Sequence, residues 1–246
     1  MIDTHAHLEA CAGSAHELVE RANEAGVKRI LAVGSTIDTC RGALAAAEAE
    51  KGVFAILGIH PHEAEREGDR LDELRPLLAH PRAVAVGETG LDFYRDYAPH
   101  DRQLALFEAE LALAAELGKP VVIHSRAADR ATAEALDRFG GTVVLHCFSS
   151  PALLPAALER GYYVSFAGNV TFPNASELRV AASQVPADRI LAETDSPYLA
   201  PQPVRGRPNE PAHVMHTLAA LAAARGEDTA ELEARIEANA SAAFSL

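Results

Sequence analysis

The sequence contains no tryptophan, and only 5% of its 246 residues are aromatic. It also lacks any apolar run approaching the roughly 20 residues that a membrane-spanning helix needs. Its first residues, MIDTHAHLEA, do not combine a basic segment with a following apolar segment, as a secretory signal does. From these absences we expect a cytoplasmic protein without a membrane-spanning segment.

Cysteine is also scarce in this chain. The three cysteines, Cys11, Cys40 and Cys147, are odd in number and far apart in the sequence. This pattern matches neither the paired cysteines of a disulfide framework nor a CxxC metal site. We therefore expect all three to be reduced thiols.

Basic residues are outnumbered by acidic ones, 22 against 35, which gives a net charge of −13. Such a charge repels the phosphate backbone of nucleic acids at long range. A tight, nonspecific nucleic-acid binder is therefore not expected. Because salt screens this repulsion beyond about 10 Å, a locally positive site can still capture a single phosphate.

The composition is otherwise that of an ordinary folded protein, with 48% hydrophobic and 23% charged residues. Residues 1–246 are predicted to form one domain, since α/β barrels of about 250 residues commonly do so. Short apolar runs typical of buried parallel strands occur eight times along the chain. They are MIDTHAHL, KRILAVG, VFAILGIHP, AVAVGETG, PVVIHS, GTVVLHCF, YYVSFAG and RILAETD.

Longer segments with helical periodicity separate these runs. One of them has apolar residues at helical spacing from Leu104 to Ala114 and ends at Gly118, just before Pro120. Strict alternation of eight strands with helices favours a closed (β/α)8 TIM barrel, although a doubly wound open sheet also alternates strands and helices. We therefore predict an α/β protein with the barrel fold.

The C-terminal part departs from simple alternation. Residues 198–209, YLAPQPVRGRPN, are rich in proline and are predicted to form a loop after the eighth strand. Two extra helices are expected after this loop. The second should begin at Asp228, with Glu231 in the position that completes a capping box.

Candidate metal ligands begin on the first predicted strand. His5 and His7 are two residues apart, so their side chains point to the same face of an extended strand and can bind one ion. An HxH pair alone is weak evidence for a metal site. A pair of hydrogen-bonded histidines at a strand end explains the same pattern equally well.

Other strand ends carry matching polar residues. They follow apolar residues of the same parity, such as Val86 before Glu88 and Val122 before His124, so their side chains should point into the barrel. Burying such a set without a compensating ion costs several kcal/mol per unpaired charge. The predicted ligands are His5, His7, Glu88, His124, His146 and Asp195.

The type and number of residues in this set indicate which cofactor it binds. Imidazoles with carboxylates suit divalent Zn²⁺, Mn²⁺ or Mg²⁺, and histidine favours the transition metals. Six ligands exceed the four of a closed structural zinc site, and a catalytic site keeps a position open for water. We predict two divalent ions that share Glu88.

The chain resembles the TatD family of metal-dependent deoxyribonucleases, within the amidohydrolase-like superfamily, almost from end to end. The motifs that carry the resemblance occur in the family's order. They are DTHAHL, LGIHPHEA, GETGLDFYRDYAPHDRQ, PVVIHSR, HCFSS, SFAGNVTFPNA and AETDSPYLAPQPVRGRPNEP. The fold that this resemblance implies is again the barrel.

The resemblance also implies a role for each ligand. His5 and His7 would bind one metal with Asp195, His124 and His146 would bind the second, and Glu88 would bridge the two. It places His60 and His62 beside the substrate phosphate. By residue type alone, these two histidines are equally compatible with a polar loop around Pro61.

One motif differs from the family pattern. The family's RGKRNEP is RGRPNEP here, so Pro208 replaces a basic residue and one phosphate contact is in doubt. Arg205 and Arg207 remain, either as phosphate-binding residues or as exposed, solvated side chains.

Three further residues have two open interpretations. Asp92 and Arg126 follow Glu88 and His124 closely, and either could orient those ligands or form an ordinary loop contact. Glu193 shares parity with Asp195. It is either a carboxylate that supports the ligands or a polar residue lower in the barrel.

The expected reaction is hydrolysis of a phosphodiester by a metal-activated water, with Glu88 and Asp195 as catalytic residues. DNA ends or a small phosphodiester are the expected substrates, because an end needs few phosphate contacts on an acidic protein. One alternative is a metal-dependent hydrolase of a carboxylic ester, lactone or amide, such as a D-aminoacyl-tRNA deacylase. Another is a metal-binding protein without turnover.

Overall fold

The apolar runs predicted from the sequence form a barrel of eight parallel strands, and the computed structural model describes all residues 1–246. Neighbouring strands in the barrel are also neighbours along the chain. The strands are β1 (Ile2–Ala6), β2 (Arg29–Gly34), β3 (Val53–Leu57), β4 (Ala83–Asp92), β5 (Val121–Arg126), β6 (Val143–Leu145), β7 (Tyr163–Phe166) and β8 (Ile190–Ala192).

The barrel closes where β1 meets the segment that follows β8. Ala6 and Ser196 form an isolated parallel bridge. The backbone N–H of His7 donates to Ser196 O at 2.8 Å, and that of Asp195 donates to His5 O at 3.0 Å. This closure confirms the predicted (β/α)8 barrel and excludes an open doubly wound sheet.

Helices connect the strands and cover the outside of the barrel. The α-helices are α1 (Ala15–Glu24), α2 (Ile37–Ala49), α3 (Ala64–Glu67), α4 (Leu74–Leu78), α5 (His100–Leu117), α6 (Asp129–Leu136), α7 (Leu154–Glu159), α8 (Ser176–Gln184), α9 (Val214–Arg225) and α10 (Thr229–Phe244). The last two are the predicted extra C-terminal helices. No helix is both apolar enough and long enough to cross a membrane.

Short 3₁₀ turns lie in the loops that connect these elements. They are Leu8–Ala10, Pro61–Glu63, Gly68–Glu73, Pro151–Leu153, Gly168–Thr171, Gln202–Val204 and Pro211–His213. The turn at Gln202–Val204 is the only regular structure in the predicted proline-rich loop, residues 198–209.

The helix ends test two sequence predictions. Helix α5 ends at Gly118 in the left-handed conformation, with φ +62°, as predicted. Helix α10 begins after Asp228, whose carboxylate accepts from the amides of Ala230 and Glu231. The predicted capping box is wrong, because Glu231 makes no return bond and lies 3.6 Å from Arg235 instead.

One continuous cluster of 69 buried apolar residues fills the barrel and the space beneath the helices. Most buried residues with polar side chains lie outside this apolar pattern, at or near the carboxyl ends of strands. In a barrel of parallel strands these ends share one rim. The fold therefore gathers the polar residues at one mouth of the barrel.

Candidate metal centre

The six predicted ligands meet at the carboxyl-terminal mouth of the barrel. His5 lies in β1, Glu88 in β4 and His124 in β5, while His146 directly follows β6. Their ligand atoms form several overlapping groups of three, and within each group all atoms lie within 4.8 Å of one another. Those composed only of predicted ligands are His5, His7 and Glu88; His5, His146 and Asp195; and Glu88, His124 and His146.

Glu88 lies at the centre of the cluster, and its two carboxylate oxygens face different histidines. Oε2 lies 3.3 Å from His5 Nε2 and 3.5 Å from His7 Nε2. Oε1 lies 2.8 Å from both His124 Nδ1 and His146 Nε2. A carboxylate in this position can serve two ions at once, with one oxygen toward each histidine pair.

Asp195 completes the side of the cluster formed by β1. Its Oδ1 lies 3.6 Å from His7 Nε2. The residue has φ +53°, a left-handed conformation that aspartate tolerates better than most residues with a side chain. Since His146 also belongs to the group with His5 and Asp195, and stacks on His5 at 3.9 Å between ring centroids, the two halves of the cluster are in direct contact.

His60 and His62 lie in the same cluster. His60 Nε2 is 3.3 Å from Glu88 Oε1, and His62 Nε2 is 2.7 Å from Asp92 Oδ2. Together with His124 they form a further group whose ligand atoms lie within 4.8 Å of one another. The structure therefore brings both histidines to the mouth and does not place them in a separate polar loop.

The two arginines predicted to bind phosphate lie apart from this cluster. Arg205 and Arg207 are exposed, and no hydrogen bond or ion pair joins either to the predicted ligands. The guanidinium of Arg205 lies over the ring of Phe172, 4.1 Å from its centroid. The structure does not bring these arginines to the six ligands, so their phosphate contact stays a prediction.

Asp92 and Glu193 support the cluster from behind. Asp92 Oδ2 contacts His62 and also lies 3.3 Å from His124 Nε2. Glu193 Oε1 lies 3.1 Å from His146 Nδ1 and accepts from the amide of Cys147 at 2.8 Å. Of the two interpretations left open by the sequence, the structure favours orientation of the ligands for both carboxylates.

Arg126 has a different position from the one that its proximity to His124 suggested. Its guanidinium lies over the ring of Tyr94, 4.1 Å from the centroid, and it forms no hydrogen bond or ion pair with the cluster. Of the two interpretations of Arg126, the structure therefore favours an ordinary contact, made from the end of β5 to the loop after β4.

A buried acid that the sequence pattern did not reveal lies beneath the β1 side of the cluster. Asp3 accepts from the amide of His5 at 3.2 Å and from the amide of Thr194 at 2.9 Å. The hydroxyl of Thr194 donates to its second oxygen at 2.6 Å. Burial raises the pKa of Asp3 to about 8. This side chain ties β1 to the segment after β8, directly below two predicted ligands.

A second buried acid, Glu110 on α5, was also missed. It accepts from the amide of Ile59 at 2.7 Å and from the hydroxyl of Thr89. Ile59 precedes His60 and Thr89 follows Glu88, so Glu110 holds the backbone beside both. Burial raises its pKa to about 8. The only sequence signal was an acidic residue three positions after buried Phe107, on the apolar face of α5.

Glycines allow the strands around Glu88 to approach closely. A β-carbon added at Gly58 would lie 2.6 Å from the Gly87 carbonyl carbon. One added at Gly90, where φ is +130°, would lie 2.1 Å from His124 O. Only residues without a side chain fit between β3, β4 and β5 at this level.

The charges in the cluster are strongly coupled. Burial disfavours the ionised form of Glu88, but the imidazoles of His146 and His60 lower its pKa well below the usual range. Burial also disfavours charged His146, yet Glu88 and Glu193 raise its pKa well above the usual value. His60 differs, because burial dominates and lowers its pKa to about 4.

These residues fit a divalent metal. The imidazole and carboxylate donors converge on a small volume, the combination that transition metals and zinc select. His5 Nδ1 and Glu193 Oε2 are buried without any hydrogen-bond partner, so the polar groups of this region are not fully satisfied by the protein alone. The number of ions and their identity stay predictions.

Comparison with known proteins agrees with this arrangement. Residues 2–245 match the family described as TatD related DNase. A Mycobacterium tuberculosis protein named "Uncharacterized metal-dependent hydrolase TatD" is 40% identical over 100% of this chain and 98% of its own length. A Klebsiella pneumoniae protein named "3'-5' ssDNA/RNA exonuclease TatD" is 39% identical, over 94% of this chain and 91% of its own.

Solved structures show the same similarity. The crystal structure of the TatD homologue YjjV from Escherichia coli superimposes with a TM-score of 0.94 and 31% identity. The match covers 100% of this chain and 98% of that one. A TatD family hydrolase from Entamoeba histolytica has a TM-score of 0.88 at 20% identity, which is a likeness of fold alone.

Proposed function

The chain belongs to the TatD related DNase family, a family of metal-dependent hydrolases, and we propose that it removes nucleotides from the ends of DNA by hydrolysing phosphodiester bonds. The relatives named as 3'-5' exonucleases of single-stranded DNA and RNA support this substrate class. We propose His5, His7, Glu88, His124, His146 and Asp195 as the metal ligands.

The observation that carries the proposal is the position of Glu88. One of its oxygens faces His5 and His7, and the other faces His124 and His146. This supports two divalent ions side by side, an arrangement typical of enzymes that cleave phosphoesters. Two such ions would outweigh the charges of Glu88 and Asp195, which favours an anionic substrate.

Two divalent ions held by these ligands would supply Lewis-acid stabilisation of the charge on the phosphoryl group and activation of water. Around them, Asp195 holds and moves a proton at Oδ1, the oxygen that faces His7. His62, whose Nε2 contacts Asp92 Oδ2 at 2.7 Å, would lie beside the substrate phosphate. His60 contributes an imidazole beside Glu88, with its Nε2 3.3 Å from Glu88 Oε1.

The acidic surface is consistent with a substrate that is held at its end. With a net charge of −13, the protein is poorly suited to gripping a long duplex through many phosphates. The terminal linkage needs only the contacts at the barrel mouth. Arg205 and Arg207, at the edge of the same side, would add long-range attraction for the strand.

The test begins with metal analysis of the purified protein. Degradation of end-labelled single-stranded and duplex DNA is then followed with and without chelator, beside an aminoacyl ester and a lactone. We expect chelator-sensitive release of nucleotides from the strand ends. Turnover of the aminoacyl ester or lactone without any phosphodiester cleavage would overturn the proposal.

Variants assign the activity to this site. Glu88→Gln and Asp195→Asn should lose the hydrolysis, while Glu116→Gln, an exposed residue on α5, should retain it. If Glu88→Gln kept full activity, the catalytic centre would lie elsewhere.

A further inference from the structure

Few large hydrophobic side chains of this protein are exposed, and most of those lie around the metal centre. Tyr94 and Tyr97 are each 63% exposed and Tyr198 is 57% exposed, whereas the fourth, Val180 at 56%, lies on α8 outside the barrel. Single exposed apolar side chains are ordinary, but several that are grouped in one place commonly mark a binding surface. Their concentration at the mouth therefore calls for a ligand with apolar, planar surfaces.

One group of rings lies beside His62, in the turn that follows β3. Tyr97 meets His62 edge to face, with 4.8 Å between centroids. The guanidinium of Arg95 lies 5.9 Å from the Tyr97 centroid, and that of Arg126 lies 4.1 Å from the Tyr94 centroid. This flank thus combines two exposed aromatic rings with two positive charges in an acidic protein.

The other flank lies beside β1. The Tyr198 ring is 5.8 Å from the His7 ring, and its backbone N–H donates to Asp195 O at 2.8 Å. Asn209 fixes the same loop by donating to the carbonyls of Thr194 and Tyr198. Tyr198 is therefore attached to the segment that carries a predicted ligand.

The Tyr94 loop is also tied to the centre. Asp92 Oδ1 accepts from the amides of Tyr94 and Arg95 at 3.0 and 2.9 Å. Its other oxygen faces His62 and His124. The same carboxylate thus positions the exposed tyrosine loop and the histidines. A base stacked on this loop would consequently sit at a defined distance from the scissile phosphate.

We propose that Tyr97 and Tyr198 are stacking platforms for unpaired bases on either side of the phosphate that is cleaved. The proposal rests on the proposed function and assigns to these two rings the recognition of a single-stranded end, the kind of substrate for which related exonucleases are named. Every base offers a face for stacking, and such contacts replace the many phosphate contacts that an acidic protein cannot make. Bases within a duplex are already stacked and paired, so they cannot reach these rings.

The first experiment measures stacking apart from turnover. A single-stranded oligonucleotide with 2-aminopurine in its terminal positions and hydrolysis-resistant phosphorothioate linkages is titrated with protein and metal. The chain has no tryptophan, so the fluorescent base can be excited with little protein background. We expect quenching on binding, about tenfold weaker binding for Tyr97→Ala and Tyr198→Ala, and near wild-type binding for the phenylalanine variants.

Val180→Ala is the matched control, because it removes an exposed apolar side chain that lies on helix α8 and contacts none of the predicted ligands. It should bind like the wild type. Absence of quenching in the wild type, or equal affinity of the alanine variants and the wild type, would overturn the stacking proposal.

The second experiment compares turnover of a normal strand with that of a strand whose terminal residues are abasic. The alanine variants should raise KM about tenfold for the normal strand and leave the abasic strand unchanged. An equal loss on both strands would mean that the tyrosines merely support the histidines, and would overturn the proposal.

The two experiments separate the two hypotheses. Tyrosine-dependent quenching without cleavage of any strand would leave the stacking site standing and contradict the proposed hydrolysis. Cleavage that is insensitive to the tyrosines would leave the hydrolysis standing and contradict the stacking site.

Discussion

The two halves of the metal centre are built differently. In the half formed by His5, His7 and Asp195, which we term the closing half, the backbone of these residues makes the hydrogen bonds that join β1 to the segment after β8. In the half formed by His124 and His146, which we term the ladder half, His124 lies in β5 and His146 directly follows β6, and both strands are already paired with their neighbours. Only in the closing half, therefore, do the ligand residues also close the barrel.

Each half rests on its own buried acid. Asp3 bonds the backbone of His5 and Thr194 beneath the closing half. Glu110, on helix α5 outside the sheet, accepts hydrogen bonds from the amide of Ile59 and the hydroxyl of Thr89. These two residues are the chain neighbours of His60 and Glu88, which lie next to the ladder half. The strand ends of one rim are thus stabilised in two ways. Asp3 links two strand segments beneath the closing half, whereas Glu110 of helix α5 supports the ladder half.

The largest effect is expected where the two halves meet. Glu88→Gln removes the one charge that faces both histidine pairs, so both ions should bind less tightly. We expect kcat/KM to fall on the order of a thousandfold, because an ion contributes several kcal/mol to the transition state. Steady-state kinetics measure the fall in kcat/KM, and the metal content per chain measures the loss of ions. A variant that loses activity but keeps both ions would show that Glu88 does not hold them.

The second prediction concerns the acid behind the ladder half. The pKa of Glu110 is about 8 in the folded protein against a usual 4.5, so the folded state binds this proton more tightly than the unfolded state. Its stabilisation is complete below about pH 4.5 and is lost as the pH rises through 8. In Glu110→Gln this loss, on the order of a few kcal/mol, should be absent.

Denaturant unfolding of wild type and Glu110→Gln from pH 4.5 to 8.5 tests it, because groups common to both proteins cancel in the difference. Glu116→Gln on the same helix is the control, since that side chain is exposed in an ion pair with Arg75. Parallel pH profiles for wild type and Glu110→Gln would contradict the raised pKa.

The third prediction separates the two halves by local stability. A metal held by the closing half links β1 to the segment after β8, so chelation should increase exchange of the His7 and Asp195 amides about tenfold or more. The amide of Val121, within the continuous ladder, should change much less. Hydrogen exchange measures both. His7→Ala should reproduce the effect of chelation at the closure, and His124→Ala should not; equal responses would remove the distinction.

The smallest effect is expected in the proline-rich loop, residues 198–209, which follows Asp195. Arg205 is exposed and stacks on Phe172, so Arg205→Ala should raise KM for an oligonucleotide only about threefold. The dependence of log KM on log salt should weaken by roughly one unit if this arginine contacts a phosphate. Arg207→Ala is the matched comparison. An unchanged salt slope in both variants would place the two arginines outside the bound strand.

Much of the fold and the centre could be predicted from the sequence because side-chain direction in a strand alternates. His5 and His7 share parity, and Glu88 shares it with Val86, so their convergence follows from the barrel. The boundaries were less accurate. β6 and β8 are only three residues long, and their polar neighbours already belong to the loops that form the mouth.

Other features depend on packing between distant segments and could not be predicted. Glu110 is buried because α5 packs on β4 and meets Ile59, 51 positions earlier. Asp3 is buried because Thr194 closes over it, 191 positions later. Likewise, Glu231 faces Arg235 on the next helical turn and does not complete a capping box. Local sequence patterns carry no information on such pairings.

The glycines between β3, β4 and β5 have a consequence for protein engineering. Gly58, Gly87 and Gly90 contact backbone atoms, so a library that varies them would mostly yield misfolded chains. The close contacts of His124 and His146 are instead with other side chains, namely Glu88, Asp92 and Glu193. Redesign for a different metal should therefore randomise residues such as His124 and His146 and keep these glycines constant. The backbone around Glu88 is then preserved while the set of ligands changes.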